Sequence, residues 1–198
     1  EIEKLYYAGQ VVKETLFMLE EHIVPGITTI DLDKMAEEFI LSRKSKPGFK
    51  GLYGFPSTLC TSIDNEVVHG LPNKRKLKEG EIIGIDVGSL YEGYYGDHAK
   101  TFCVGNVSKE KKTLINITRD CLYLGINQVK IGNRIGDIGY AIQNFAEQNG
   151  FSVVRDYVGH GIGQKLHEDP PVPNYGKKIQ KKILSSQKRS QKIRTPSS

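Results

Sequence analysis

Apolar residues recur every three or four positions in four parts of the chain, which is the spacing of amphipathic helices. These stretches cover residues 2–23, 30–42, about 109–128 and about 134–150. Pro25-Gly26 ends the first stretch, and Gly150 ends the last. Thr28 and Asp31 have the spacing of a capping box, so we expect the second helix to begin directly after Thr28.

Shorter apolar segments between the helices predict β-strands, over residues 57–63, 81–90, 94–104 and 151–158. If the two central segments form a hairpin that turns at Tyr91-Glu92, Leu90 pairs with Gly93 and Asp86 pairs with Asp97. Helices thus alternate with antiparallel strands, and the chain has no glycine-rich turn of the dinucleotide-binding kind. This pattern favours the α+β class over a doubly wound sheet.

The 198-residue chain is 38% hydrophobic and 26% charged, which is ordinary for a single globular domain. Its three cysteines are too few for a disulfide scaffold, and no apolar run is long enough to span a bilayer. No secretory signal pattern opens the sequence. We therefore expect a cytoplasmic protein with no membrane partner.

The net charge of +5 arises at the C-terminal end of the sequence. Eight of the 28 Lys and Arg residues lie in 177–198, a segment without acidic residues, so residues 1–176 carry a net charge of −3. A nucleic-acid-binding surface over the whole fold is therefore not indicated, and we expect no specific DNA partner. We expect one domain over residues 1–175 and a disordered basic tail over residues 176–198.

Asp86 and Asp97 are the strongest candidates for chemistry. In the predicted hairpin they face each other across two strands, with Cβ atoms about 5 Å apart. Two like charges at this distance repel unless a cation lies between them or one carboxyl stays protonated. Gly84 and Gly88 on the same face are expected to leave room for an ion. We therefore favour a metal site over a pair of exposed aspartates.

Three of the five histidines lie in settings that suit a functional site. His69 ends an apolar run before a turn, His160 lies among glycines, and His167 precedes an acidic, proline-containing segment. We interpret His22 as a surface residue and His98 as a structural one. Carboxylates combined with imidazole suit Mn, Fe, Co or Zn better than Ca.

Four segments together resemble methionine aminopeptidase of the type I, bacterial and organellar kind. They are Cys60–Pro72, Gly84–Gly88, Gly96–Phe102 and Gly159–Pro170. The resemblance extends over residues 1–175 and implies the pita-bread α+β fold, an antiparallel curved sheet flanked by helices. The activity that it implies is removal of the N-terminal methionine from nascent proteins, with metal ions activating the attacking water.

The resemblance also implies a pair of divalent ions, either Co, Mn, Fe or Zn. Asp86, Asp97 and His160 would bind them, and Asp97 would bridge both. The family has two further glutamate ligands, whereas residues 176–198 contain neither Asp nor Glu. We therefore expect a truncated or frame-shifted copy, incomplete at the C-terminus, with weak or no activity.

The family's substrate contacts map onto five other positions. His69 would contact the substrate near the scissile amide, and His167 would hydrogen-bond its carbonyl group. Phe55, Cys60 and Leu166 fall where the family lines its methionine pocket, and Leu166 replaces the family's usual aromatic residue. A thioether side chain suits an apolar pocket that contains sulfur.

Two alternative functions stay open at this point. One is a proline-specific peptidase of the same fold, which the Asn65–Pro72 segment and the short N-terminal part disfavour. The other is a non-catalytic pita-bread protein whose basic tail binds the ribosome or RNA. Catalysis by the thiol of Cys60 is disfavoured because a buried cysteine is commonly inert. We expect a monomer whose partner is the N-terminal methionine of a nascent peptide, with ribosome association left open.

Overall fold

The computed structural model describes residues 1–177, and the four predicted helices are present within that range. They are α1 (Ile2–Glu20), α2 (Thr29–Ser42), α3 (Lys109–Ile126) and α4 (Ile135–Gln148). No helix of residues 1–177 is both long enough and apolar enough to cross a membrane. The predicted basic tail lies outside the described residues from residue 178 onward.

The strands form a larger, four-stranded antiparallel sheet and a small two-stranded hairpin. They are β1 (Lys46–Pro47), β2 (Leu59–Ile63), β3 (Ile82–Tyr91), β4 (Tyr94–Cys103), β5 (Gly159–Gly161) and β6 (Glu168–Val172). In the larger sheet, β3 is central and pairs with β4 along one edge. Its other edge pairs directly with both β2 and β1, with β2 over Ile83–Val87 and with β1 at Ser89 and Leu90. The hairpin of β5 and β6 forms a separate two-stranded sheet. Helices with antiparallel strands confirm the predicted α+β class.

Helices α1 and α2 cover one face of the larger sheet and bury its apolar side chains. Every second residue of β3 points toward these helices, and Ile83, Ile85 and Val87 are fully buried there. Burying a side chain of this size stabilises a fold by roughly 1.5–3 kcal/mol. Because the strand period is two, the intervening residues of β3 point to the opposite face. That opposite face carries Asp86.

Polar side chains of the first turns cap α2 and fix it to the sheet. The Asp31 N–H donates to the Thr28 side chain at 3.3 Å, which confirms the predicted cap at the start of α2. One turn later, Asp33 Oδ1 accepts from the backbone N–H groups of Thr58 and Leu59 at 2.9 and 2.8 Å. The N–H groups of Thr58 and of Leu59, the first residue of β2, are thereby satisfied although both residues are buried. These bonds fix where β2 begins relative to α2.

The predicted register of the β3–β4 hairpin is wrong by two residues. Tyr91 pairs with Tyr94, so that Asp86 lies opposite Ala99 and Asp97 lies opposite Gly88. The two turn residues are Glu92 and Gly93, with φ of 46° and 85°. A two-residue turn with both φ values positive matches the twist of the strands and favours glycine second, which places the turn one residue later than predicted.

The strand predicted over 151–158 is also wrong. This segment is irregular, and pairing begins only at Gly159, where β5 meets β6. Alternating apolar residues form a strand only beside a partner strand, and none lies next to this segment among residues 1–177. Helices α3 and α4 pack against each other, with the α4 side chains of Ile138 and Ile142 against Gly125 of α3.

The contact between α1 and β4 makes a matched pair of glycine substitutions informative. A Cβ atom at Gly96 would lie 2.5 Å from the Ala8 backbone, whereas one at Gly9, on α1 itself, meets nothing within 4 Å. We expect Gly96→Ala to lower the free energy of unfolding by about 1–3 kcal/mol or more, because α1 must shift. Gly9→Ala is expected to raise it by about 1 kcal/mol, because alanine favours helix. Urea unfolding measures both, and equal effects would contradict this packing.

Candidate active site

Asp86 and Asp97 meet on the sheet face that α1 and α2 leave uncovered. The register is two residues from the prediction, and an even shift keeps both side chains on one face. The two residues are diagonal neighbours across β3 and β4, and the charge of each carboxyl group acts on the other. Burial, together with the charge of Asp97, raises the pKa of Asp86 to about 8. Burial also raises the pKa of Asp97, so one proton is retained between the two carboxyl groups at neutral pH when no cation is bound.

His160 approaches this pair from β5. Its Nε2 lies 3.4 Å from Asp97 Oδ2, and its Nδ1 lies 2.9 Å from the carbonyl oxygen of Gly161. A carbonyl can only accept, so Nδ1 carries the proton in the neutral ring and Nε2 presents a lone pair toward the Asp97 carboxylate. Two acceptors that face each other are unfavourable unless a proton or a cation lies between them. This arrangement suits a cation ligand whose other ring nitrogen is anchored.

The donors fit divalent ions in their chemistry. Asp97 stands between Asp86 and His160, as a carboxylate shared by two ions would, and hard oxygens with one imidazole suit first-row divalent metals. Among residues 1–177, however, no three His, Cys, Asp or Glu side chains are grouped closely enough to hold one ion. The donors adjoin in pairs instead: Asp86 lies beside Asp97, and Asp97 lies beside His160.

Of the two glycines predicted to leave room for an ion beside the aspartates, Gly88 does not do so. A Cβ at Gly88 would lie 2.5 Å from the Phe49 ring, so that glycine makes room for Phe49 and not for an ion. At Gly84 the nearest atoms to such a Cβ are 3.7 Å or more away, which is ordinary van der Waals separation. The expectation of room for an ion is therefore wrong at Gly88.

An apolar cluster adjoins the carboxylates. Its buried members are Phe49, Cys60 and Leu166, and the partly buried side chains packed on it are Leu52, Phe55, Tyr95 and Ile162. Cys60 lies directly opposite Asp86 across β2 and β3, which joins the cluster to the polar site. Burial, with the nearby charges of Asp86 and Asp97, raises the pKa of Cys60 to about 12. Its sulfur therefore stays a neutral thiol at physiological pH, which suits an apolar wall and not a nucleophile.

The three predicted pocket residues, Phe55, Cys60 and Leu166, thus lie together in the apolar cluster. Sequence reasoning missed its other members. One of these carried a usable signal: Tyr95 lies two residues before Asp97 on β4, so it shares a strand face with a candidate ligand. Ile162 lies just after β5, where no strand periodicity applies. Phe49 and Leu52 lie between β1 and β2, where the one regular element is a short 3₁₀ helix (Leu52–Gly54), and they offered no periodic signal.

His167 lies against His160, with ring centroids 4.4 Å apart. Partial burial, then the neighbouring His160, lowers the pKa of His167, so its ring is neutral at physiological pH and carries one N–H donor. A groove of about 630 Å³ runs along the β5–β6 hairpin, and both histidines line it. His167 thus presents a donor beside the candidate ion ligands.

His69 lies in the long connection between β2 and β3. Its φ is 61°, and its ring meets the Tyr157 ring edge-on at 5.7 Å. The next residue, Gly70, is paired tightly to β2: the Thr61 N–H donates to the Gly70 carbonyl at 2.8 Å, and a Cβ on Gly70 would lie 2.1 Å from the Thr61 carbonyl oxygen. The backbone at His69 is therefore held closely to the sheet while its side chain stays exposed.

The two remaining histidines lie outside this arrangement. His22 is exposed at the end of α1, where its Nδ1 contacts the Met18 carbonyl oxygen at 2.9 Å. His98 follows Asp97 and therefore points to the opposite side of β4.

Comparison with known proteins gives one family. The sequence matches the description "Metallopeptidase family M24" over residues 3–189. It is 51% identical over 177 residues to a methionine aminopeptidase of Clostridium perfringens, in a match that covers 89% of this chain and 71% of that protein.

Two solved structures are similar over the same span. A methionine aminopeptidase from Thermotoga maritima has a TM-score of 0.88 and 46% identity, covering 89% of this chain and 72% of that one. A methionine aminopeptidase from Rickettsia prowazekii has a TM-score of 0.87 and 43% identity, covering 89% and 71%. The helices, the sheet and the β5–β6 hairpin are thus arranged as in these enzymes.

Proposed function

Because this chain belongs to metallopeptidase family M24, we propose that the site around Asp86 and Asp97 removes the N-terminal methionine from nascent proteins. The relatives are methionine aminopeptidases, so removal of an initiator methionine by a metalloaminopeptidase is the activity that the comparisons support. The expected pita-bread fold is confirmed by the same similarity. Ribosome association, a monomeric state and a cytoplasmic location stay predictions.

The family uses divalent metal ions. In this chain we propose that Asp86, Asp97 and His160 hold a pair of them, with Asp97 shared, and that the metal is Co, Mn, Fe or Zn. Bound ions of this kind lower the pKa of water and polarise the carbonyl of the scissile bond. The observation that carries the proposal is the diagonal placement of Asp86 and Asp97 on one face of the sheet, with His160 Nε2 3.4 Å from Asp97 Oδ2.

The protein's own groups would orient the peptide. His167, neutral because its pKa is lowered, would donate an N–H to the carbonyl oxygen as negative charge develops there. His69 would contact the peptide near the same amide. The apolar cluster offers aromatic and aliphatic walls with one sulfur at Cys60, which suits an unbranched thioether. Methionine would thus be held by its side chain while its amide lies beside the carboxylates.

The direct test is release of methionine from a Met-Ala-Ser peptide by residues 1–198 with added Mn²⁺ or Co²⁺. We expect release that a chelator abolishes, with much less from Leu-Ala-Ser and none from the N-acetylated peptide. Turnover is expected to be well below that of the Thermotoga maritima relative assayed in parallel. Only three ion ligands are assigned in this chain, and no residue is assigned as the general base. General-base catalysis typically raises a rate by about 10²–10⁴-fold.

Four other outcomes of these assays would each contradict a part of the proposal. Release from the acetylated peptide, or release unaffected by the chelator, would refute a metalloaminopeptidase. Turnover equal to that of the relative would refute the expected shortfall while supporting the activity itself. Salt-dependent RNA binding with no peptidase activity would favour the non-catalytic alternative.

A further inference from the structure

The segment Gly163–His167 delivers two neighbouring residues of the proposed site. Leu166 is 5% exposed and packs in the apolar cluster, while the next residue, His167, lies against His160. A shift of this short segment would therefore open the cluster and move the histidine together. What holds the segment thus affects both parts of the site.

The start of the segment is tied to β4. The Tyr95 N–H donates to the Gly163 carbonyl at 2.9 Å, and the Gln164 side-chain amide donates to the Tyr94 hydroxyl at 3.2 Å. The Gly163 N–H in turn donates to the Lys165 carbonyl at 3.1 Å, which closes a tight turn. These bonds leave the Lys165 N–H free for a partner from elsewhere.

Glu168 supplies that partner from the first residue of β6. Its Oε1 accepts from the Lys165 N–H at 2.9 Å, so a carboxylate closes the turn from its far end. A Cβ at Gly163 would lie 2.7 Å from one Glu168 carboxylate oxygen and 2.8 Å from the other. Gly163 is not in the left-handed region of φ, so a glycine is needed here for space, and the space is filled by the Glu168 carboxylate.

We propose that Glu168 is a positioning residue whose carboxylate holds the segment Gly163–His167 so that Leu166 closes the apolar cluster and His167 faces His160. The inference rests on the proposed function, because that function makes the apolar cluster the methionine pocket. Glu168 is placed to hold the segment by its hydrogen bond to Lys165 and by its close approach to Gly163.

Four variants of the full chain separate a hydrogen-bond role from general structural damage. Glu168→Ala removes the acceptor, and Glu168→Gln keeps an oxygen that can accept from Lys165. Gly163→Ala displaces the carboxylate while the flexible Glu168 side chain lets the fold adjust. Glu38→Ala, on the exposed side of α2, is the control for loss of one negative charge.

Two measurements follow the segment and the pocket separately. Amide hydrogen exchange at Lys165 reports the hydrogen bond itself, and calorimetry with L-methionine reports the pocket. For Glu168→Ala and Gly163→Ala we expect about 10-fold faster exchange at Lys165 and about 10-fold weaker methionine binding. Glu168→Gln is expected within about threefold of the wild type, and Glu38→Ala is expected to match it.

Each contrary outcome has a distinct meaning. Unchanged exchange in Glu168→Ala, or unchanged methionine binding despite faster exchange, would overturn the positioning role. An equal loss in Glu168→Gln would overturn the role of the acceptor oxygen. Failure of the wild-type chain to bind methionine would instead refute the proposed pocket, and exchange at Lys165 would still decide whether Glu168 holds the segment.

Discussion

Asp86→Asn is expected to stabilise the metal-free protein at pH 8 while weakening its binding of Mn²⁺ by about 100-fold or more. The asparagine amide can donate to Asp97, as the retained proton does in the wild type, and it carries no charge. The variant therefore removes the repulsion between two partly buried carboxylates and also removes an ion ligand. Stability and metal binding should change in opposite directions.

The difference in stability between Asp86→Asn and the wild type is expected to grow with pH. The pKa of Asp86 is raised from 3.8 to about 8 in the folded protein. Between these values the folded protein retains a proton that the unfolded chain releases, so this group's contribution to stability is lost as the pH rises from about 4 to 8. The variant should therefore differ little from the wild type near pH 4 and increasingly at higher pH.

Thermal unfolding with a chelator at pH 5 and pH 8 measures the effect. We expect the Tm of Asp86→Asn to exceed that of the wild type by roughly 5–10 °C at pH 8. Asp120→Asn, at a half-exposed aspartate on α3, is the matched control and is expected to stay within about 1 °C. A lower Tm for Asp86→Asn at pH 8 would contradict the repulsion between the Asp86 and Asp97 carboxyl groups and the proton that they share.

His167→Ala is expected to lower kcat for methionine release by about 10²–10³-fold with little change in KM. The His167 ring would donate where negative charge develops, and that interaction strengthens only in the transition state. Because the pKa of His167 is lowered, the donor stays in one protonation state through neutral pH. The loss should therefore be similar at pH 7 and pH 8.

The control for this variant is His22→Ala. His22 is exposed at the end of α1, and its removal is expected to change kcat by less than twofold. A large rise in KM for His167→Ala with unchanged kcat would assign that residue to substrate binding and not to charge stabilisation. Far-ultraviolet circular dichroism of both variants should match the wild type.

Local sequence signals were sufficient for the helices and for the class of fold. The helical spacing of apolar residues, the cap at Thr28 and the stop signals located all four helices to within a few residues. These signals depend on neighbours along the chain, so they can be evaluated without the rest of the molecule. The strand over 151–158 was wrong because a strand depends on a partner that local pattern does not reveal.

The β3–β4 hairpin shows how a partly wrong inference still located the carboxylates. Placing the turn at Tyr91-Glu92 ignored the need for positive φ at both turn residues, which Glu92 and Gly93 satisfy. The resulting error was two residues, and an even error leaves Asp86 and Asp97 on the same face. An odd error would have separated them to opposite faces.

The sequence by itself determined the helices, the α+β class and the identities of the residues that could bind ions, because periodicity, capping and side-chain chemistry are local properties. Only the tertiary structure decided which of these residues meet. It brings His160 of β5 to 3.4 Å from Asp97 of β4, and it packs Leu166 with Phe49 and Cys60. Such contacts join segments more than sixty residues apart, and they depend on strand register and on how the hairpin lies against the sheet, which no short-range pattern encodes.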